Sequence, residues 1–215
     1  PAYTVWLLLG CVVAWFARAR PWAGKVLGVS LLVSTAYLGW GLVAKAQVDR
    51  AAQQSLAAMG LGDAPRFSVP MPFNTLLWRV VAMTPSGYVV GDRSLVADQG
   101  PMRFEGHPSN VQALREASAI PAVQRLQWFN RGFMRAQVVD NQLVLSDLRM
   151  GLEPDYTFNF AVAEQVDGQW RAIVPQQQRM DYSSPAARAD AGQRLAAMWQ
   201  RIWQAPPTAT LHIDP

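Results

Sequence analysis

The sequence predicts a membrane α-helical hairpin followed by an α+β domain with a mainly antiparallel sheet. Three observations lead there. Two long uncharged apolar runs fall within the first 45 residues, and all fifteen acidic residues lie beyond them. The rest of the chain breaks into short apolar stretches separated by Gly, Pro, Asn and Asp, the pattern of strands joined by tight turns. Residues 1–45 therefore read as two transmembrane helices, the first truncated, and residues 46–215 as one soluble α+β domain.

Ala2 to Ala17 is uncharged and rich in Leu, Val and Trp. It falls short of the roughly 20 residues that cross a bilayer. The chain opens on Pro1 without an initiator Met, so we expect a fragment whose first helix is completed by upstream sequence. A signal peptide fits less well, because no basic segment precedes the run and no small-x-small site follows it. Val26 to Ala44 is the second run. Its Gly28, Ser30, Ser34, Gly39 and Gly41 are small residues of the kind that let membrane helices approach closely. Arg18, Arg20 and Lys25 lie between the runs without an acid, which predicts a cytoplasmic loop and an outward-facing domain.

Val48, Ala52, Leu56 and Met59 recur at helical spacing, so the second helix should continue out of the membrane to Met59. Gly60, Gly62 and Pro65 end it. Thr75–Met83 and Tyr88–Leu95 read as strands around the turn Thr84-Pro85-Ser86-Gly87, and Met102–Glu105 as a short strand. Val111–Ala117 and Val123–Phe129 read as helices, with Ser109 or Asn110 as cap of the first and Pro121 in the first turn of the second. Phe133–Val139 and Leu143–Met150 flank Asp140-Asn141-Gln142. Thr157–Val166 and Trp170–Val174 flank Asp167-Gly168-Gln169, whose Asp-Gly pair suits a type I′ turn. A last helix spans about 186–204, its apolar face formed by Leu195, Met198, Trp199, Ile202 and Trp203. About seven strands in consecutive hairpins imply one antiparallel sheet with helices on one face.

The net charge is +4, and no Lys or Arg run tracks a phosphate backbone, so nucleic acid is not an expected partner. Cys11 is the single cysteine, which excludes an intrachain disulfide and a thiolate cluster. His107 and His212 have no second ligand at metal-binding spacing. The HExxH, Walker A, GxGxxG and GxSxG patterns are absent. Ser94 and Ser146 lie within strands without a nearby base. No residue is assigned a catalytic, cofactor-binding or metal role.

The candidate polar ligand site comprises Arg79, Asp147 and Arg149. Asp147 and Arg149 are two apart in a predicted strand and so share a face. They form either a polar ligand site, conceivably an enzymatic one, or a same-face ion pair. Trp78 should face the core and Arg79 either solvent or a buried acid. Trp128 and Phe129 should pack a helix end onto the sheet, with Gly132 as the left-handed cap. Trp199 and Trp203 read first as core and second as a membrane contact.

Five segments in order carry a resemblance: Phe73-Asn74-Thr75-Leu76-Leu77-Trp78-Arg79-Val80; Gly87-Tyr88; Ser94-Leu95; Arg125-Leu126-Gln127-Trp128-Phe129-Asn130-Arg131-Gly132-Phe133; and Leu145-Ser146-Asp147-Leu148-Arg149-Met150-Gly151. Over residues 1–175 the chain resembles the C-terminal half of the YdjM-like family of membrane-bound metal-dependent hydrolases of bacterial inner membranes. The resemblance implies a divalent metal for the parent protein, held by an Arg-Gly-x-x-His-Ser type motif in membrane helices that no position here matches. It also implies the lipid bilayer and upstream membrane helices as partners, with the 46–215 domain as an accessory or regulatory module facing the periplasm. The alternative is a non-catalytic, membrane-anchored binding or assembly protein with an envelope component or another protein as partner.

Overall fold

The computed structural model describes residues 2–178 and 185–206. Helix α1 (Ala2–Phe16) and helix α2 (Ala23–Ala58) form an antiparallel hairpin. They pack tightly at Gly10, where a Cβ would lie only 2.1 Å from Ser30 Oγ. Ser34 is also buried, at 3% exposure. Two of the predicted small residues thus serve the hairpin interface, whereas Gly28, Gly39 and Gly41 face open space. The outer surface is apolar and bare: Leu8, Leu9, Leu31, Leu32, Leu38, Leu42 and Val43 are all exposed.

Helix α2 is long and apolar enough to cross a membrane; α1 is apolar but shorter. The 15 residues of α1 rise about 22 Å against a hydrocarbon core of about 30 Å. One candidate span is therefore shown where two were expected.

Past Ala44 the surroundings of α2 change without a break in the helix. Ala44, Val48, Ala52 and Leu56 recur every four residues and are each 0% exposed. They pack with Trp78, Val80, Ala82 and Val89 of a sheet. Full burial of Val48 and Leu56 contributes about 1.5–3 kcal/mol each. Met59, expected on this stripe, instead occupies the helix C-cap and is exposed.

That sheet contains β1 (Arg66–Pro70), β2 (Leu77–Thr84), β3 (Gly87–Ser94) and β4 (Glu105–Pro108), antiparallel in sequence order. After β4, α3 (Val111–Glu116) and α4 (Pro121–Asn130) lead to β5 (Met134–Val139) and β6 (Gln142–Asp147). A two-residue pair, β7 (Gly151–Leu152) and β8 (Asp155–Tyr156), precedes β9 (Asn159–Val166) and β10 (Gln169–Gln177). The second sheet has the order β10-β9-β6-β5. Helix α5 (Pro185–Trp203) closes the described chain.

The α+β class and the antiparallel pairing are as expected, but the hairpins divide between two four-stranded sheets. The reason lies in β2, which is apolar on both faces. Trp78, Val80 and Ala82 meet α2, while Val81 meets Tyr88 of β3 together with Leu148 and Tyr156 from beyond β6. The second sheet has its own core, with Val123 of α4 packed against Met134, Leu143 and Val162. Several boundaries also differ. β1, for which the sequence carries no strand signal of its own, is closed by Pro70. The 102–105 strand runs instead from Glu105 to Pro108, and the strand from Leu143 ends at Asp147.

Local signals that rest on backbone chemistry agree closely. Asn110 Oδ1 accepts from Ala113 N at 2.9 Å and caps α3, while Ser109 Oγ accepts from Ala136 N. Asp140–Asn141 and Asp167–Gly168 each have two consecutive positive φ values, as a type I′ turn requires. The left-handed cap of α4 is Arg131 at φ 55°, one residue before the expected Gly132.

Candidate ligand groove

Helix α4 buries Val123 and Asn130 and half-buries Leu126, a stripe at i, i+3 and i+7. Trp128 and Phe129 fall off that stripe and cannot reach the core. They are 80% and 60% exposed, which corrects the expectation that they pack the helix onto the sheet. Their rings instead overhang a groove of about 550 Å³. Leu145, Ser146 and Asp147 of β6 and Phe158 and Phe160 complete its walls, with Arg125 at the edge. This volume and this mixture of aromatic walls with few polar groups suit a small-molecule site.

Of the polar β6 residues beside the groove, Asp147 shares the α4-facing side with Leu145, whereas Ser146 alternates to the opposite face with its register partner Arg135. Asp147 is fully occupied: its Oδ1 accepts from Arg149 N at 2.9 Å and Arg149 Nε at 3.0 Å, and its Oδ2 accepts from Arg149 Nη2 at 2.7 Å. This hydrogen bonding raises the Arg149 pKa above its usual value. The guanidinium also lies over the Phe129 ring, 5.0 Å from its centroid. Ser146, in contrast, is 1% exposed and its Oγ has no hydrogen-bond partner. It is register partner to Asn159 across β6 and β9, and Asn159 Oδ1 is likewise buried without a partner. Buried polar groups are nearly always paired, so two orphans side by side mark this point of the sheet.

The three residues of the sequence-predicted site separate. Asp147 and Arg149 pair with each other at the groove. Although Arg149 lies past the end of β6, the bond from its backbone N to Asp147 folds the turn back and brings the side chains together. Arg79 lies in the other sheet, directly opposite Asp92, and holds it through Nε at 3.0 Å and Nη2 at 3.3 Å. It is the buried partner of an acid, one of the two expected outcomes, and it lines a separate polar cleft of about 420 Å³ with His107, Glu153 and Arg201.

Glu153 ties that cleft to the second half of the chain. Its Oε1 accepts from the Tyr88 and Tyr156 hydroxyls, and its Oε2 accepts from Arg135 Nη1 at 3.1 Å. Burial raises the Glu153 carboxyl above its usual value despite these bonds. Burial, followed by the nearby Glu153 charge, pushes the Tyr156 phenol well above its ordinary value. Ser94, 0% exposed, donates from Oγ to Ile202 O at 2.6 Å and accepts from Val96 N and Ala97 N, a structural role. His107 stacks on Tyr88, and His212 lies outside the described residues. Among the described residues no three His, Cys, Asp or Glu side chains gather as a metal site. These residues do not fit the metal that the resemblance implies.

The groove could be anticipated only in part from sequence. The phase of α4 was the available signal, since Trp128 and Phe129 lie off the stripe set by Val123, Leu126 and Asn130. The partnership of α4 with Leu145 and Phe158 is tertiary and has no local mark. Compared with known proteins, the chain matches no family model, no curated protein and no solved structure.

Proposed function

We propose that this chain is a membrane-anchored binding protein whose α+β domain holds a small amphipathic molecule in the groove between α4 and the β6–β9 sheet. The observation that carries this reading is the pair of exposed rings, Trp128 and Phe129, at a groove whose other walls include Leu145, Phe158 and Phe160. Those walls suit a flat or alkyl body, and Arg125 among the lining residues suits a hydroxyl or carbonyl oxygen as its polar end. A cationic ligand is not favoured, because Arg125 lines the edge and the Asp147 carboxylate is taken by Arg149. The anchor is α2, with the basic α1–α2 turn cytoplasmic and the domain on the outer side of a bacterial inner membrane.

The test uses the full chain in lipid nanodiscs with 2-naphthol as probe. Binding should saturate at one site and weaken about tenfold in Trp128→Ala and in Phe129→Ala. Partitioning that does not saturate, or that both variants leave unchanged, overturns the proposal.

A second reading has one specific observation in its favour. Two of the segments that resemble the YdjM-like hydrolases, 125–133 and 145–151, converge on this one groove. In this reading the groove presents substrate to a metal site built by other membrane helices, and the domain is the accessory module of a hydrolase. Metal analysis and hydrolase assays of a protein carrying those helices, with and without Trp128→Ala, would test it. Hydrolysis unaffected by the variant would detach the groove from catalysis.

A further inference from the structure

The register between α2 and the first sheet sets the height of each loop relative to the apolar half of the helix. Lys45 immediately follows the uncharged run. Its Nζ donates to Asp49 Oδ2 at 3.0 Å and to Ser68 Oγ at 2.5 Å, and Ser68 Oγ donates to Asp49 Oδ1 at 2.5 Å. The middle of β1 is thereby held level with residues 45–49. At the far end of α2, Gln53 Nε2 donates to Gly62 O, as does Arg66 Nη1 at the start of β1. β1 therefore runs back along α2, and its last residue, Pro70, lies about 7 Å beyond Ser68 toward the uncharged half. The 71–76 loop after Pro70 joins β1 to β2 at this end of the sheet.

Around the Asp98–Arg201 ion pair, this end of the sheet exposes several apolar side chains. Phe73, at the tip of the loop, is 72% exposed. It is held outward at φ 62° by Asn74, whose Oδ1 accepts from Leu76 N and Leu77 N and whose Nδ2 donates to Pro72 O. Leu77 pairs with Ser94, so the turn after β3 lies at the same end, and it exposes Val96. Ser94 Oγ binds Ile202 O and draws the last turn of α5 to this edge, with Trp203 63% exposed. Leu42 and Val43 of α2 are exposed just below Lys45.

We propose that this edge of the domain is a membrane-contact surface, in which Phe73, Val96 and Trp203 enter the headgroup and upper acyl region of the bilayer that α2 crosses. The partner is lipid because three separate chain segments present apolar side chains at the level where the helix itself turns apolar. Aromatic rings favour that interface. The inference rests on the membrane reading of α2, and the experiment separates the two.

In the full chain with Cys11→Ser, single cysteines F73C, V96C, L32C and S86C carry the fluorophore NBD. Ser86 lies in the β2–β3 turn at the opposite end of the sheet. The proteins are reconstituted in phosphatidylcholine–phosphatidylglycerol vesicles containing nitroxide lipids, labelled either near the headgroup or deep in the acyl chain. The headgroup nitroxide should quench F73C and V96C several-fold more than S86C, and the deep nitroxide should quench L32C. Quenching of F73C and V96C at the level of S86C, with L32C still quenched, overturns the contact surface alone. An unquenched L32C overturns the membrane reading and the contact surface together.

Discussion

Ser146 and Asn159 stand directly opposite each other on β6 and β9, yet neither Ser146 Oγ nor Asn159 Oδ1 has a hydrogen-bond partner. An unmade bond at a buried polar atom costs about 1–3 kcal/mol. Ser146→Ala should therefore leave the unliganded protein as stable as before or more stable, by up to about 1 kcal/mol. A loss of more than about 1 kcal/mol in denaturant unfolding would show that the hydroxyl is satisfied in the folded protein.

The Arg79–Asp92 pair behaves oppositely. The Arg79 side chain is 13% exposed and that of Asp92 29%. Asp92→Asn leaves the guanidinium without its charge partner and should cost about 2–3 kcal/mol, below the 3–5 typical of full burial. Arg79→Met combined with Asp92→Leu should recover most of that loss. A double variant less stable than Asp92→Asn would mean that the pair also carries a role in packing the cleft.

Alkaline pH should weaken the junction between the two halves of the domain. The Tyr156 pKa is raised in the folded state, so the native protein keeps a proton that the unfolded chain loses near pH 10. Its contribution is fully present below that pH and is lost as pH rises toward the folded value. Glu153, also raised, acts in the same direction near pH 4.5, where its contribution is present below and lost above. The melting temperature should fall from pH 9 to 11, and Tyr156→Phe should flatten the fall. An equal slope in the variant would assign it to other groups.

The helical hairpin should be sensitive at a single glycine. Gly10→Ala places a methyl 2.1 Å from Ser30 Oγ and 2.5 Å from Ser30 Cβ. The helices must separate, at about 1–3 kcal/mol. Gly28→Ala meets nothing within 4 Å and should be neutral. Thermal unfolding in detergent would compare them, and equal melting points would argue that α1 does not pack on α2 there.

The parts of this fold legible in the sequence are those governed by neighbours along the chain. Asn110 capping α3, Pro121 opening α4 and the type I′ turn at Asp167–Gly168 each need only local chemistry. The i, i+4 stripe of Val48, Ala52 and Leu56 was equally readable. The division into two sheets was not, because β2 carries apolar residues on both faces and only the assembled chain shows which partner covers each. The site divided in the same way. Asp147 and Arg149 do meet, but through the turn after β6 rather than by sharing a strand face, and the groove formed by Trp128, Leu145 and Phe158 depends on where α4 lands. Trp199 and Trp203 show the limit of a helical stripe: Met198 and Ile202 take the buried positions, and both tryptophans stay exposed.

The 36 residues of α2 run from the α1 turn to the rear of the first sheet without a hinge. A rod of that length, about 54 Å, swings its far end by about 9 Å for a 10° change of tilt. Under the membrane span proposed for α2, bilayer thickness, which influences the tilt of such rods, would act as a mechanical input to the domain. The same sequence in a thinner membrane would hold its groove at a different angle and height.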